Sequence, residues 1–309
     1  MNKFSIAIHG GAGTILRKDL TAEMEAAYNK GLEDALHSGY EILSKGGTAL
    51  DAVTAAVVSL EDCILFNAGR GSVFTKTGRH EMDAAIMDGQ TLDAGAVAGV
   101  SSVKNPVLLA KLIMEKSEHV MLCGDGALHF ARQHQLQLEE EAYFFSQFRY
   151  DQWQMVKNED VTSLDHNIQI EKKFGTVGAV ACDANGNLAA ATSTGGMTNK
   201  NFNRIGDTPV LGAGTYANNQ TCAISCTGHG ELFLRAVAAY DVSCLMEYKG
   251  MSLQQAMEKV TLDKLVKLQG EGGMIGVDAN GNTAMIFNSE GMYRAMQNNQ
   301  GEKQIAIYR

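Results

Sequence analysis

The pentapeptide Asp-Ala-Asn-Gly-Asn occurs twice in this chain, at 183–187 and again at 278–282. Each copy stands between two short apolar runs. Thr176 to Cys182 and Leu188 to Thr194 flank the first, and Met274 to Val277 and Thr283 to Phe287 flank the second. Asn-Gly meets the backbone demands of a tight hairpin turn, so each copy predicts a pair of antiparallel strands. Two hairpins with one turn sequence commit the chain to sheets built largely of antiparallel strands.

Helical patterns surround these hairpins. Thr21 to about Lys45 has helical periodicity and stops at Gly46-Gly47. Thr48 and Asp51 resemble a capping box, opening a helix whose apolar face carries Leu50, Val53, Val57 and Leu60. Asn105-Pro106 opens another, with Leu109, Leu112 and Ile113 inward. Glu231 to Tyr248 and Ser252 to Leu268 read as helices, the second with a Ser252/Gln255 capping box and Gly270 as its stop. Phe4 to His9 reads as a buried strand ending in a glycine turn. Between Gln135 and Lys173 no period holds, and the later part, from about Lys157 up to Gly175, reads as a mobile linker. Strands within, helices at both ends of each half: this order predicts sheets covered by helices, a layered α/β (α+β) sandwich.

Composition excludes several classes of function. The net charge of −9 is spread along the chain without a Lys/Arg cluster, which argues against nucleic acid and anionic membrane as partners. The opening apolar run is too short for a signal peptide, and no segment reaches membrane-spanning length. The six cysteines show no C-x-x-C and no metal spacing, so a reducing cytoplasm is the expected location. None of the eight histidines pairs at ligand spacing, and no G-x-S-x-G elbow marks a serine hydrolase.

Thr176 invites a chemical reading. On propensity alone it is a β-branched residue opening a strand. If the bond between Gly175 and Thr176 is cut, however, the freed α-amine supplies a base beside the residue's own hydroxyl. A threonine hydroxyl needs such a base, and an α-amine with an ordinary pKa of about 7.7–8.0 suits proton transfer near neutral pH. Gly175, with no Cβ, can adopt a strained turn that opens its carbonyl to attack.

The segments "IHGGAG", "ALDAV", "FNAGRGSVF", "MDAAIMDG", "AGAVAGV", "NPVLLAKLIME", "GTVGAVA", "ATSTGGMTNK", "RIGDTPVLGAG", "SCTGHGE" and "GMYRA" run in order over nearly the whole chain. In these the sequence resembles the plant-type L-asparaginase/isoaspartyl peptidase family of N-terminal nucleophile hydrolases, and most of all its bacterial isoaspartyl peptidases. The resemblance implies a single four-layer αββα sandwich made as a precursor. It cleaves itself into an α subunit, 1–175, and a β subunit, 176–309, and two such αβ units associate. Thr176 is then the nucleophile, and Thr194 the neighbour that orients it. Thr227 and Gly228 form the oxyanion hole, where one donor is worth ~3–4 kcal/mol of barrier. Arg204 and Asp207 clamp the α-carboxylate and α-ammonium of the substrate. Gly230 adds a backbone contact to the ammonium, and Asn67 braces the site. Backbone carbonyls of Leu60, Glu61, Cys63, Phe66, Ala68 and Arg70 resemble the family's alkali-cation loop, which would bind a structural sodium ion through oxygen; no catalytic cofactor is implied.

The activity so implied is release of L-aspartate from β-aspartyl dipeptides and L-asparagine through a β-aspartyl ester on Thr176. Two alternatives stand beside it. A glycosylasparaginase-like hydrolase would usually carry Asp before the nucleophile and a secretion signal. An uncleaved, inactive homologue would act as a binding protein, against which the intact Thr176, Thr194, Arg204, Asp207 and Thr227 argue.

Overall fold

A computed structural model describes residues 3–13, 15–17, 20–158 and 175–309. Strands β1 (Ser5–Gly13), β2 (Met82–Asp88), β3 (Ala94–Val100), β4 (Met121–Cys123), β5 (Val177–Cys182), β6 (Leu188–Thr194), β11 (Gly291–Asn298) and β12 (Lys303–Tyr308) form one sheet, in the order β12-β11-β1-β5-β6-β2-β3-β4. Strands β7 (Thr215–Ala217), β8 (Cys222–Gly228), β9 (Gly272–Asp278) and β10 (Thr283–Phe287) form a second sheet, ordered β10-β9-β8-β7. Every named pairing is antiparallel except β3 with β4. Both Asp-Ala-Asn-Gly-Asn turns join neighbouring strands, β5 to β6 and β9 to β10. In each, the Asp side chain gathers two backbone amides: Asp183 those of Asn185 and Asn187, Asp278 those of Asn280 and Asn282.

The sheets lie face to face. Strand alternation sends Val180 and Cys182 of β5, with Leu188 and Ala190 of β6, toward Ala223 of β8 and Ile275 and Val277 of β9. The opposite faces take the helices. Val177, Ala179 and Ala181 of β5 pack with helices α1 (Ala22–Ser44), α2 (Ala49–Asp62) and α3 (Pro106–Lys116). Helix α4 (Gly124–Gln133) joins this layer through Ala127 and Ala131. Val53, Val57 and Leu60 of α2 are fully buried against β5 and β6. At about 1.5–3 kcal/mol for each such side chain, they anchor the strand that begins beside Thr176. The result is the αββα order that the sequence implies.

Caps and stops form where the residues call for them. Thr21 accepts the Met24 amide, and Ser252 with Gln255 closes a full capping box. Thr48 accepts the Asp51 amide at 3.1 Å, but Asp51 takes the Thr48 hydroxyl (2.9 Å) instead of its backbone N–H, so the reciprocal half of that box is altered. Asp51 also holds Lys111 of α3 at 2.7 Å.

Other expectations need correction. The first strand does not end at His9; β1 runs on through Gly13 with a bulge between His9 and Gly11, paired to β11. Glycine permits that bulge, so a run that looked like a turn stays in the sheet. The unpatterned stretch after Gln135 contains α5 (Glu141–Phe144) and α6 (Gln147–Val156). Their aromatic residues have a partner surface that periodicity does not reveal. Trp153 stacks on Phe74 with ring centroids 5.6 Å apart, and the buried Arg149 donates to the carbonyls of Leu65 and Gly71. The linker expected over 157–175 falls on residues outside those described, apart from 157, 158 and Gly175. The helix expected from Glu231 to Tyr248 is two, α7 (Gly230–Ala236) and α8 (Ala238–Lys249), broken at Val237 with φ 49° and ψ 49°. No Gly or Pro marks that break, and a β-branched residue held there costs about 1–3 kcal/mol. Past α9 (Leu253–Glu258), residues 259–264 widen into a π-helical turn. Leu112, expected inward on α3, is only half-buried, while Ala110 and Val107 are fully buried.

Candidate active site

Thr176 immediately precedes β5, at the middle of the large sheet, and is 7% exposed. Its side chain points into the space between the sheets, on the same face as Gly178 and Val180. Its hydroxyl donates to Thr194 Oγ1 at 3.1 Å, and that oxygen also accepts the Gly196 amide at 3.0 Å. Thr194 closes β6, the hairpin partner of β5, so the Asn-Gly turn at the far end sets the register that brings the two hydroxyls together.

Asn67 braces the turn that follows Thr194. Its Nδ2 donates to Gly196 O (2.7 Å), its Oδ1 accepts the Val73 amide (3.0 Å), and its own carbonyl accepts the Gly195 amide (3.0 Å). Gly175 lies directly against it. A Cβ added to Gly175 would stand 2.3 Å from the Asn67 Cβ, so only glycine fits between Asn67 and Thr176.

Thr227, near the end of β8, is fully buried and two residues beyond Ser225, on the face turned toward the large sheet. Its hydroxyl oxygen accepts the Ala12 amide at 3.3 Å, which leaves its O–H as a donor. Gly228 follows with φ 150°, and a Cβ there would come 2.4 Å from Glu271 O. The close approach of β9 thus requires glycine at this position.

Arg204 and Asp207 converge on Gly230, where an added Cβ would stand 2.8 Å from both Arg204 Nη2 and Asp207 Oδ1. Arg204 also reaches the Gly196 turn: a Cβ on Gly196 would lie 3.5 Å from its Nη1. The guanidinium does not bond Asp207. It forks onto Glu231, at 2.8 Å to Oε1 and 3.0 Å to Oε2. Burial works against the charge of Glu231, yet the Arg204 bonds hold its carboxyl below the usual range. Asp207 is 4% exposed, and its Oδ2 has no hydrogen-bond partner among the described residues. Burial pushes its pKa up to about 7, with the Arg204 charge pulling the other way. A buried carboxyl with an open oxygen beside a guanidinium is suited to a ligand carrying both an ammonium and a carboxylate.

Glu231, Asp83, Lys200 and His9 also belong to this neighbourhood, and the sequence did not mark them as functional. Glu231 reads as the opening of a helix. Asp83 of β2 pairs in register with Thr194; its Oδ1 accepts the Gly99 amide at 2.8 Å, and burial raises its pKa against the pull of Lys200. Lys200 is 2% exposed and donates to Glu81 O at 2.7 Å. A charged residue inside an apolar or glycine-rich motif was the available signal, since burying one needs a compensating partner.

In the segment from Leu60 to Arg70, carbonyls crowd two glycines. A Cβ on Gly71 would lie 2.0 Å from Phe66 O and 2.7 Å from Ile64 O, and one on Gly69 would lie 2.6 Å from Glu61 O. The carbonyls of Leu60, Cys63, Phe66 and Ala68 each accept a backbone amide, which leaves each a second lone pair. Arg70 sets its guanidinium over the Tyr143 ring. Among the described residues no His, Cys, Asp or Glu cluster could hold a metal ion, and carbonyl oxygens are the ligand type a hard cation takes.

The αββα layering with a threonine at the head of a central strand is the architecture of the N-terminal nucleophile hydrolases. Within that class, the chain belongs to the asparaginase family, whose model matches residues 2–307. It is 53% identical over 298 residues to the isoaspartyl peptidase of Escherichia coli (strain K12), covering 96% of this chain and 93% of that protein. The isoaspartyl peptidase of Salmonella typhimurium is 54% identical over 298 residues, 96% of this chain and 95% of that one. The plant-type L-asparaginase of Pyrococcus horikoshii is 40% identical over 318 residues, 98% of this chain and 99% of that one.

Proposed function

We propose that this chain is a threonine amidohydrolase that cuts itself between Gly175 and Thr176 and then releases L-aspartate from β-aspartyl dipeptides and L-asparagine. The observation that supports it most is the buried Thr176–Thr194 hydroxyl pair at the head of β5, with Gly175 wedged against Asn67. Relatives of this length and identity bear the names isoaspartyl peptidase and L-asparaginase, which agrees with that chemistry.

The steps follow from the geometry. The freed amine of Thr176 takes the proton of its own hydroxyl, whose orientation Thr194 sets. The oxygen attacks the side-chain carbonyl of the aspartyl unit. Thr227 O–H and the Gly228 backbone N–H stabilise the resulting oxyanion. Ammonia or an amino acid leaves with the proton, and water hydrolyses the β-aspartyl ester. Arg204 takes the α-carboxylate, while Asp207 and the Gly230 backbone take the α-ammonium. Since Arg204 is forked onto Glu231 in the free site, substrate carboxylate competes with that carboxylate for the guanidinium.

A structural sodium ion in the Leu60–Arg70 segment, with Glu61 and Phe66 among its carbonyl ligands, would stiffen the loop that carries Asn67; no chemical step passes through it. Two αβ units associate in this reading, and six free cysteines fit a reducing cytoplasm. Among the described residues no helix is long and apolar enough to cross a membrane. The test is a panel of asparagine, β-aspartyl-leucine and glycosylated asparagine. Turnover of the first two supports the proposal, and turnover of the glycosylated substrate alone overturns it.

A further inference from the structure

His9 is fully buried between the two sheets, opposite Gly178 in the pairing of β1 with β5. Its Nδ1 lies 3.0 Å from the carbonyl oxygen of Thr176, and its Nε2 lies 2.9 Å from Ser225 Oγ on β8. The chain of contacts continues between the two sheets. Ser225 Oγ is 2.7 Å from Thr192 Oγ1, which is 2.7 Å from Thr215 Oγ1, which in turn reaches Thr208 O at 3.1 Å. Gly178 is what lets the chain pass. A Cβ there would stand 2.0 Å from Ser225 Oγ and 2.6 Å from His9 Nε2, so any other residue would fill the gap.

The protons on this chain can be placed by elimination. A carbonyl only accepts, so Nδ1 of His9 must carry hydrogen and donate to Thr176 O. With the ring neutral, Nε2 has a lone pair and accepts the Ser225 hydroxyl. Having spent its own proton, Ser225 accepts from Thr192, whose alternative acceptor, Gly214 O, is more distant at 3.4 Å. Thr215 closes the series by donating to Thr192 at 2.7 Å, the Thr208 carbonyl being the more distant acceptor at 3.1 Å. Burial favours the neutral ring and pushes His9 down to about 3, with the Thr176 carbonyl opposing the shift.

We propose that His9 is a positioning residue for the nucleophile: by donating from Nδ1 to the Thr176 carbonyl it fixes the peptide plane from which the catalytic amine and hydroxyl hang. This rests on Thr176 acting as the nucleophile. A chain end created inside a sheet loses the restraint of the residue before it, and chain ends fray unless they are tied down. Two ties remain on Thr176, to His9 through the carbonyl and to Thr194 through the hydroxyl. The first sets the plane and the second sets the rotation about it. A catalytic group held this way keeps its attack geometry, which is worth orders of magnitude in rate.

Four variants and one spectrum test the assignment, using processed protein for the parent and the three His9 variants. Asn can place its side-chain amide where Nδ1 stands, Gln where Nε2 stands, and Leu neither. His9→Asn should keep kcat within about fivefold of the parent, while His9→Leu and His9→Gln should lose at least about a hundredfold in kcat with KM within about threefold. Equal activity of the Asn and Leu variants, or losses that fall on KM, would overturn the assignment. Nitrogen-15 NMR of histidine-labelled parent protein should show His9 neutral and protonated on Nδ1 from pH 5 to 9. That measurement stands even where a substitution fails to fold, and an Nε2-protonated ring would also overturn it. Thr176→Ala separates the two levels. If that variant stays active, the nucleophile reading fails; if it is inactive while His9→Leu turns over normally, only the role of His9 fails.

Discussion

Thr194→Val replaces one hydroxyl with a methyl group of nearly the same shape, and the structure says what is lost. Two bonds end on that oxygen, from Thr176 at 3.1 Å and from Gly196 N at 3.0 Å. Thr194 is 3% exposed and Gly196 is half-buried, so water can replace the lost bond to the Gly196 amide only in part. A fully buried unpaired donor costs about 1–3 kcal/mol of stability, so the melting temperature should fall by less than that upper range implies. The Thr176 hydroxyl keeps its place in the chain but loses its direction. If holding that direction is worth about 1.4–2.7 kcal/mol at the transition state, kcat falls roughly 10- to 100-fold. KM should move much less, because Thr194 makes no bond to Arg204 or Asp207. Steady-state kinetics on a β-aspartyl dipeptide measure both, with Thr194→Ser as the control that retains the hydroxyl. A tenfold rise in KM at unchanged kcat would refute the reasoning, since Thr194 would then serve the binding turn and not the nucleophile.

Three further outcomes are expected. Arg204→Ala removes the fork to the substrate carboxylate, so kcat/KM should drop about 100-fold in kinetics on asparagine. Self-cleavage, read by denaturing electrophoresis, should persist, and its loss would contradict a purely substrate-binding role. Asp207 serves the ammonium only when ionised, and burial sets its pKa at about 7. KM should therefore rise as pH falls through that value, roughly tenfold between pH 8 and pH 6, and a flat KM profile would count against it. Gly175→Ala forces a Cβ to 2.3 Å from the Asn67 Cβ, so a time course of fragment formation should slow at least tenfold, while cleavage at the parental rate would exclude tight packing there as a requirement.

The hairpins were legible because Asp-Ala-Asn-Gly-Asn encodes its turn locally, and the caps at Thr48 and Ser252 because a cap is a contact three residues long. The bulge at His9 was not, since only pairing with β11 distinguishes a glycine bulge from a glycine turn. Helix α6 draws its stability from ring contacts with Phe74 and from Arg149 reaching distant carbonyls, and α5 from Phe144 beside His80 and Tyr143 on Asp62, contacts with no local period. The site divides the same way. Thr176, Thr194, Arg204 and Asp207 were reached through motif resemblance, whereas the fork of Arg204 onto Glu231 joins residues 27 apart and depends on how the loop after β6 meets the start of α7.

The central claim concerns the bond between Gly175 and Thr176. Intact-mass spectrometry of the purified, folded protein, coupled to N-terminal sequencing, tests it directly. The account predicts two polypeptides, 1–175 and 176–309, the second beginning with a free threonine amine. An unbroken chain that nevertheless turns over β-aspartyl dipeptides would contradict it.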